Sequence, residues 1–224
     1  MAVSVINRVA SDNLVLGVLE VTGGVVRDSS AELRQECDAI AAALAAEGYE
    51  LPEDKRSAVR RLLKTGRFSP TGRNRPAHEL LVRDMQERGE FHHINNVVDA
   101  NNVISLKYLL PISIFDTAKR DGALVVRIAA EGEGYVFNQS GQYMDLKRCI
   151  VCCTGGDPGR PVGSPVKDSM ETKVFEGASG FLGVVYFTTE LYSAEECNRI
   201  LQEFADLLSR ETGGSIVRAE IVPA

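Results

Sequence analysis

Two apolar runs open the chain, at residues 3–9 and 14–21, and their density of valine and leucine reads as buried strands. Ser11-Asp12-Asn13 breaks the first from the second, and Gly23-Gly24 closes the pair. The period then changes. Leu33, Cys37, Ile40 and Leu44 recur at helical spacing, Ser29 with Glu32 forms a capping box before them, and Gly48 follows. A second helix is expected over 53–64, ending at Gly66. After the turn-rich segment FSPTGRNRP, Pro76 opens a third helix that points Leu80, Leu81 and Met85 inward and stops at Gly89.

Residues 92–116, HHINNVVDANNVISLKYLLPISIFD, interrupt an apolar run with Asn95, Asn96, Asn101 and Asn102. A buried carboxamide is costly unless its hydrogen bonds are met, so packing alone does not select these residues. The stretch reads as a fourth helix with Asn96 as its N-cap and Pro111 as its stop. Val98, Asn102, Ser105, Leu106 and Leu109 share one stripe, which carries Asn102 into an otherwise apolar contact. The alternative reading of Asn102 is a structural asparagine that ties down a neighbouring loop.

Beyond Asp116 strands are expected at 123–129, 135–138, 149–154, 172–175 and 181–188. A last helix starts at Ser193, where Glu196 completes a capping box and Ile200, Leu201, Phe204, Leu207 and Leu208 form its core stripe. Residues 215–222 return as a strand. Helices and strands segregate more than they alternate, so the fold class is α+β. The expectation is one compact domain over 1–224, with mixed or antiparallel sheets packed against about five helices. Residues 1–72 supply strands and two helices, and 214–224 the closing strand.

At 224 residues the chain is long enough to bury its own core. No apolar run approaches the ~20 residues of a membrane span, and the first residues lack the basic-then-apolar pattern of a signal peptide. An odd count of five cysteines argues against a disulfide framework. These points lead to the expectation of a cytoplasmic protein with reduced thiols and no membrane partner. Cys149, Cys152 and Cys153 read as small apolar residues of a buried strand, because no second cluster completes a tetrahedral metal site. The run TGGDPGRPVGSP lacks the Gly-Lys-Ser/Thr ending of a phosphate loop and reads as an irregular connection. No cofactor and no metal is expected.

The net charge of −6 hides a segment of the opposite sign. Between Lys55 and His78 there is no acid, while Lys55, Arg56, Arg60, Arg61, Lys64, Arg67, Arg73 and Arg75 all fall there. Such a block either meets an anionic ligand, nucleic acid included, or is neutralised across a helix pair by Glu32, Glu36 and Asp38. With only His78, His92 and His93 and no nucleophile-elbow serine, a hydrolase built on this chain would position water and polarise a carbonyl through amides and hydroxyls.

From Arg73 onward the segments RNRPAHELL, INNVVDANNVISLKYLLPISIFD, LVVRIA and SPVKDSMETKVFEGASGFLGVVYF, with the helix that follows, resemble the tRNA-editing domain of the phenylalanyl-tRNA synthetase β chain. The likeness is closer still to free-standing proteins made of that domain, and it covers roughly residues 73–213. The resemblance implies hydrolysis, in trans, of the ester joining a wrong amino acid to a tRNA 3′ acceptor end. The alternative is a non-catalytic module that binds a tRNA end or a free amino acid. The resemblance places the pocket asparagine on Asn102. Ser113 stands where bacterial synthetases carry a histidine after the proline, and 183–186 holds no acid where the tyrosine-sensing glutamate falls. Asn102, Ser113 and Thr172 are the implied catalytic residues, with Asn101 beside them on the amino-acid and ester side. Arg73, Asn74 and Arg75 are the implied contacts for tRNA. Asp99 and Asp116 cap and brace, with contact to the substrate amino group as their second reading. Oligomeric state is not legible.

Overall fold

The computed structural model describes residues 2–156 and 158–223. In chain order its elements are β1 (Val5–Asn7), β2 (Leu14–Thr22), α1 (Ala31–Ala45), α2 (Glu53–Leu63), α3 (Ala77–Arg88), α4 (Asn96–Tyr108) and β3 (Ile112–Asp116). There follow β4 (Leu124–Ile128), β5 (Gly134–Val136), β6 (Tyr143–Asp145), β7 (Ile150–Thr154), β8 (Arg160–Gly163), β9 (Gly180–Thr188), α5 (Ala194–Thr212) and β10 (Ser215–Val222). One four-stranded sheet has the order β1-β4-β7-β8, a second β10-β2-β9-β3, and β5 pairs with β6 as a separate hairpin. Only β1 against β4 is parallel among these pairings, so the architecture is the expected α+β with mixed sheets and five helices among the described residues.

The second sheet is covered on both faces, because β2 and β9 are apolar at nearly every position. On one face Leu19, Val21, Phe181, Val185 and Phe187 pack with α1, α4 and α5. On the other, Leu14, Leu16, Val18, Leu182, Val184 and Tyr186 meet Val126, Ile150 and Cys152 of the first sheet. A strand that is apolar at both odd and even positions satisfies its pattern only between two layers. Close approach sets one glycine: a Cβ on Gly17 would stand 2.6 Å from the Phe187 ring and 3.2 Å from Leu201. A third cluster joins α2, through Val59 and Leu63, to Cys149, Val151 and Cys153 of the β7 region. All five cysteines are buried and unbridged, as the strand reading of CIVCC requires. Burial pushes the Cys149 and Cys153 thiols up to about 12, which leaves them protonated.

Helix ends follow capping chemistry, with two shifts of one residue. Ser30 rather than Ser29 caps α1 by accepting from the Leu33 amide (3.1 Å). Ser29 instead donates to Asp99 Oδ2 (2.7 Å). Asn95 rather than Asn96 caps α4, accepting from the amides of Val97 and Val98. Ser193 and Glu196 form the expected capping box on α5. α4 ends at Tyr108, before Pro111, with Leu109 in the left-handed region (φ 54°) and Ser105 Oγ donating to the Leu110 carbonyl (2.6 Å). The chain then turns directly into β3, so the segment ISIFD is a strand.

Two further expectations are corrected. Residues 172–175 pair with no strand; Thr172 ends a 3₁₀ turn (Met170–Thr172) and its hydroxyl bonds the Val162 carbonyl (3.3 Å). The glycine-rich run expected as an irregular connection contains β8, which pairs with β7; its Asp157 lies outside the described residues.

His78 on α3 is 0% exposed, and neither ring nitrogen has a hydrogen-bond partner. Burial, reinforced by Arg60, lowers its pKa to about 3. The folded state therefore resists a proton that the unfolded chain accepts near 6.5, and this contribution to stability falls as pH drops from about 6.5 toward 3. His78→Leu is expected to raise stability relative to wild type by about 2 kcal/mol at pH 5, with a smaller difference at pH 8. Denaturant titrations at the two pH values check this; a pH-independent difference would contradict it.

Candidate functional site

β3 is the outer strand of its sheet, and beyond its open edge lies a cleft of about 690 Å³. α3 lines it through Leu80, Leu81 and Met85, α4 through Val98, Asn101 and Asn102, and β3 through Ile112 and Ile114. The facing wall is the segment 164–175 between β8 and β9, with 137–140 from the tip of the β5–β6 hairpin. Named bonds hold these walls. The Ala77 amide donates to the Pro165 carbonyl (2.9 Å), Ile114 N to Asp168 Oδ2 (3.1 Å), and Lys173 Nζ to the Phe137 carbonyl (2.7 Å). Asn95 Nδ2 reaches the Val174 carbonyl at 3.5 Å. About half of the lining is aliphatic or aromatic and the rest is polar or charged, including Asp84, His92, Lys167 and Asp168, in a cleft of a size that suits a small ligand. A second depression, between α1 and α5, is open and lined by charged groups such as Glu36, Arg199, Glu203 and Arg210.

The four asparagines divide by helical position. Asn95 caps, and Asn96 is wholly buried, donating to the carbonyls of Val25 and Glu211 (2.9 Å each) and accepting from Arg27 N (3.0 Å). These two are structural. One turn later, Asn101 and Asn102 face the cleft. Asn101 Nδ2 donates to Asn102 Oδ1 (3.3 Å), which fixes the polarity of the second amide and leaves Asn102 Nδ2 as a donor toward the cavity. Asn102 is half-buried, on a cleft wall rather than in a closed apolar contact. Asn101 is 6% exposed and its Oδ1 has no partner.

The polar group that sequence reading missed is Asp168. Its carboxylate accepts from Ile114 N and, at 3.4 Å, from Ser164 N, and the neighbouring Ser113 hydroxyl helps to hold its pKa down while bonding the Ser164 carbonyl (3.3 Å). A Cβ on Gly163 would stand 2.5 Å from Asp168 Oδ1 and from the Phe115 ring, so glycine is required beside it. Burial raises the Asp168 carboxyl to about 7 against these hydrogen bonds and the pull of Lys173. Burial lowers both lysines nearby, and Arg73 adds to the lowering of Lys167. Lys167 Nζ lies 4.1 Å over the Phe137 ring. Nothing in the spacing of SPVKDSMETK marks Asp168; its role appears only when β3 is recognised as an edge strand with an outward N–H.

Asn102, Ser113 and Thr172 do not share one cavity. Alternation along β3 turns Ile112 and Ile114 to the cleft and Ser113 to the opposite face. There Ser113 Oγ lies 3.1 Å from Tyr186 Oη, which in turn lies 3.0 Å from Cys152 Sγ. Thr172 is buried and bonds backbone. Asp99 accepts from Ser29, Ile94 N and His93 away from the cleft lining, and Asp116 Oδ1 accepts from Ala118 N, so both brace. Residues 183–186 are buried within the second sheet, and Gly183 faces Phe204 of α5.

Three of the eight cations of the basic segment are paired, by acids other than those expected. Arg60 pairs bidentately with Glu79 (2.7 and 2.5 Å), Arg61 with Glu190 and Arg56 with Glu53, while Lys55 donates to Tyr192 Oη (2.8 Å). Arg73 and Arg75 have no ion-pair partner among the described residues, and with Asn74 they form the 3₁₀ turn (Gly72–Asn74) and its exit before α3. Lys167 lines the cleft and feels the charge of Arg73, but neither Arg73 nor Arg75 is part of the lining.

Ser113 thus bears on the cleft through Asp168. Removing its hydroxyl in Ser113→Ala is expected to move the Asp168 carboxyl above about 7, read by carboxyl NMR titration. An unchanged midpoint would separate the two residues.

No helix among the described residues is long and apolar enough to cross a membrane. No curated protein matches the chain. Among solved structures, an N-terminal fragment of the phenylalanyl-tRNA synthetase β-subunit from Pyrococcus horikoshii is similar, with a TM-score of 0.52 and 13% identity. That match covers 100% of this chain and 55% of the fragment, so the chain spans about half the fragment's length and shares its fold. The family model of the B3/4 domain matches residues 65–189, more than half of the chain and the part that builds most of the cleft. The chain belongs to the B3/4 domain family.

Proposed function

We propose that the protein is an aminoacyl-ester hydrolase that acts in trans on misacylated tRNA, with the cleft beside β3 as its active site. The observation that carries this reading is the pairing of Asn101 and Asn102 on a cleft wall beside Leu80, Leu81, Ile112 and Ile114, with Lys167 on the lining and within the influence of Arg73. An apolar side chain fits among Leu80, Leu81, Ile112 and Ile114. Asn102 Nδ2, oriented by Asn101, donates to the ester carbonyl and stabilises the oxyanion that forms as water attacks. An aminoacyl ester is already activated, so positioning of water, aided by the neighbouring ribose hydroxyl, is sufficient chemistry for this site. Lys167, Arg73 and Arg75 contact the phosphates of the acceptor end, which fixes register without reading sequence.

The aliphatic wall of Leu80, Leu81, Ile112 and Ile114 supports an apolar amino acid as the group removed. The second reading, a module that binds a tRNA end or amino acid without hydrolysis, is favoured by a serine at 113 where bacterial synthetases carry a histidine and by the lack of an acid at 183–186.

Purified protein is expected to deacylate at least one member of a panel of mischarged tRNAs. Asn102→Ala is expected to lower that rate about 100-fold with the melting temperature retained. Arg73→Ala with Arg75→Ala is expected to weaken tRNA binding and flatten its salt dependence, the logarithmic slope falling by about one for each phosphate no longer neutralised. Binding of charged tRNA without turnover of any member would establish the binding-module reading instead.

A further inference from the structure

β10 forms the margin of the second sheet opposite β3, and the two margins differ. The edge of β3 is covered by a loop, with Asp168 accepting from the Ile114 amide. Among the described residues the backbone of 215–222 bonds to β2 alone, so the outer edge of β10 is open along eight residues. Ile216 (38%) and Val217 (41%) are large apolar side chains exposed on this strand. A row of free N–H and C=O groups with apolar neighbours is a template for a further strand. Charge on an edge strand ordinarily works against such pairing. Here the two charges are opposite in sign and two residues apart. Arg218 and Glu220 therefore share one face of the strand, and Arg218 Nη1 donates to Glu220 Oε1 (2.8 Å).

That spacing selects the partner. Two copies of one strand related by a two-fold axis through the sheet pair antiparallel about a single residue, with opposed side chains on the same face. An axis at Arg218 sets guanidinium against guanidinium, and an axis at Glu220 sets carboxylate against carboxylate. An axis at Ala219 sets Arg218 of each copy opposite Glu220 of the other, an attractive pair made twice. The same register places Val217 opposite Ile221 and Ile216 opposite Val222. The bulge between Ile216 and Arg218 bounds the regular stretch on one side, and Pro223, which has no N–H, bounds it on the other.

We propose that the protein forms a homodimer in which β10 pairs with β10 of a second copy, antiparallel about Ala219, and joins the two four-stranded sheets into one of eight strands. The inference goes beyond the reading of the cleft and stands or falls without it. β3 is the far margin of each sheet, so the two clefts lie at opposite ends of the joined sheet and stay open.

Sedimentation equilibrium up to about 0.5 mM protein is expected to show monomer and dimer with a Kd of about 10 μM, the weak end of specific interfaces, because one strand pair is small. Glu220→Arg and Arg218→Glu are each expected to weaken association about ten-fold or more, since like charges then face each other twice. An equimolar mixture of the two variants is expected to associate about as tightly as wild type. That recovery is intermolecular, so a folding defect in one variant cannot produce it. All five native cysteines are buried, so Ala219→Cys adds an accessible thiol. Opposed Cα atoms of an antiparallel pair stand ~4.5–5.5 Å apart, within disulfide reach, and mild oxidation of this variant is expected to give a covalent dimer. This measurement decides if Arg218→Glu does not fold. A chain that stays monomeric at the highest concentration, leaving the edge to a strand of some other protein, would overturn the proposal. A dimer that neither charge reversal weakens and that Ala219→Cys does not cross-link would overturn it too, by placing the interface elsewhere.

Discussion

The structure depends on the antiparallel pairing of β2 with β9, in register from Leu14↔Thr188 to Thr22↔Gly180. Both strands are apolar on both faces, so the pair is stable only when helices cover one side and a second sheet the other. This places β10 and β3 at the two margins of the sheet. β3 is short and its outer edge is unpaired by any strand, and an open edge must be satisfied or covered. Here the cover is a loop, and the group that satisfies the Ile114 amide is the Asp168 carboxylate. The cleft is the space left between that edge and the helices above it.

The proposed site lies where the fold is least regular. α3 and α4 supply rigid walls, and α4 carries both the structural and the cleft-facing asparagines within two turns. The facing wall has no long regular element and is held by single bonds to Pro165, Asp168, Lys173 and Val174. A rigid amide pair opposite a bonded loop suits the orientation of an ester without a covalent nucleophile. Of the basic stretch, Arg60 and Arg61 brace α2 against α3 and the β9–α5 turn, and Arg73 lies within the influence of Lys167 on the cleft wall.

Much of the fold is legible in the sequence because its helices carry both stripe and cap, as Ser193, Glu196 and Phe204 do on α5. β3 is not legible, because ISIFD continues an apolar run straight out of α4 and all five residues are buried. Missing that strand also hides the orientation of Ser113, which alternation settles at once. Residues 172–175 look like a strand by composition, but they find no pairing partner. Asn102 stands out because an amide on an apolar stripe contradicts packing. Asp168 gives no such signal, since an acid between Lys167 and Ser169 is ordinary in a loop; its burial is a consequence of tertiary structure alone.

The central claim is that the cleft holds an aminoacyl ester with its carbonyl on Asn102. A crystal structure with an aminoacyl-adenosine in which an amide replaces the ester tests it most directly. The account predicts the amide oxygen within hydrogen-bond reach of Asn102 Nδ2, the side chain along Leu80, Leu81, Ile112 and Ile114, and the ribose toward Lys167. An empty cleft at saturating ligand, or a ligand seated with its carbonyl away from Asn102, would contradict it.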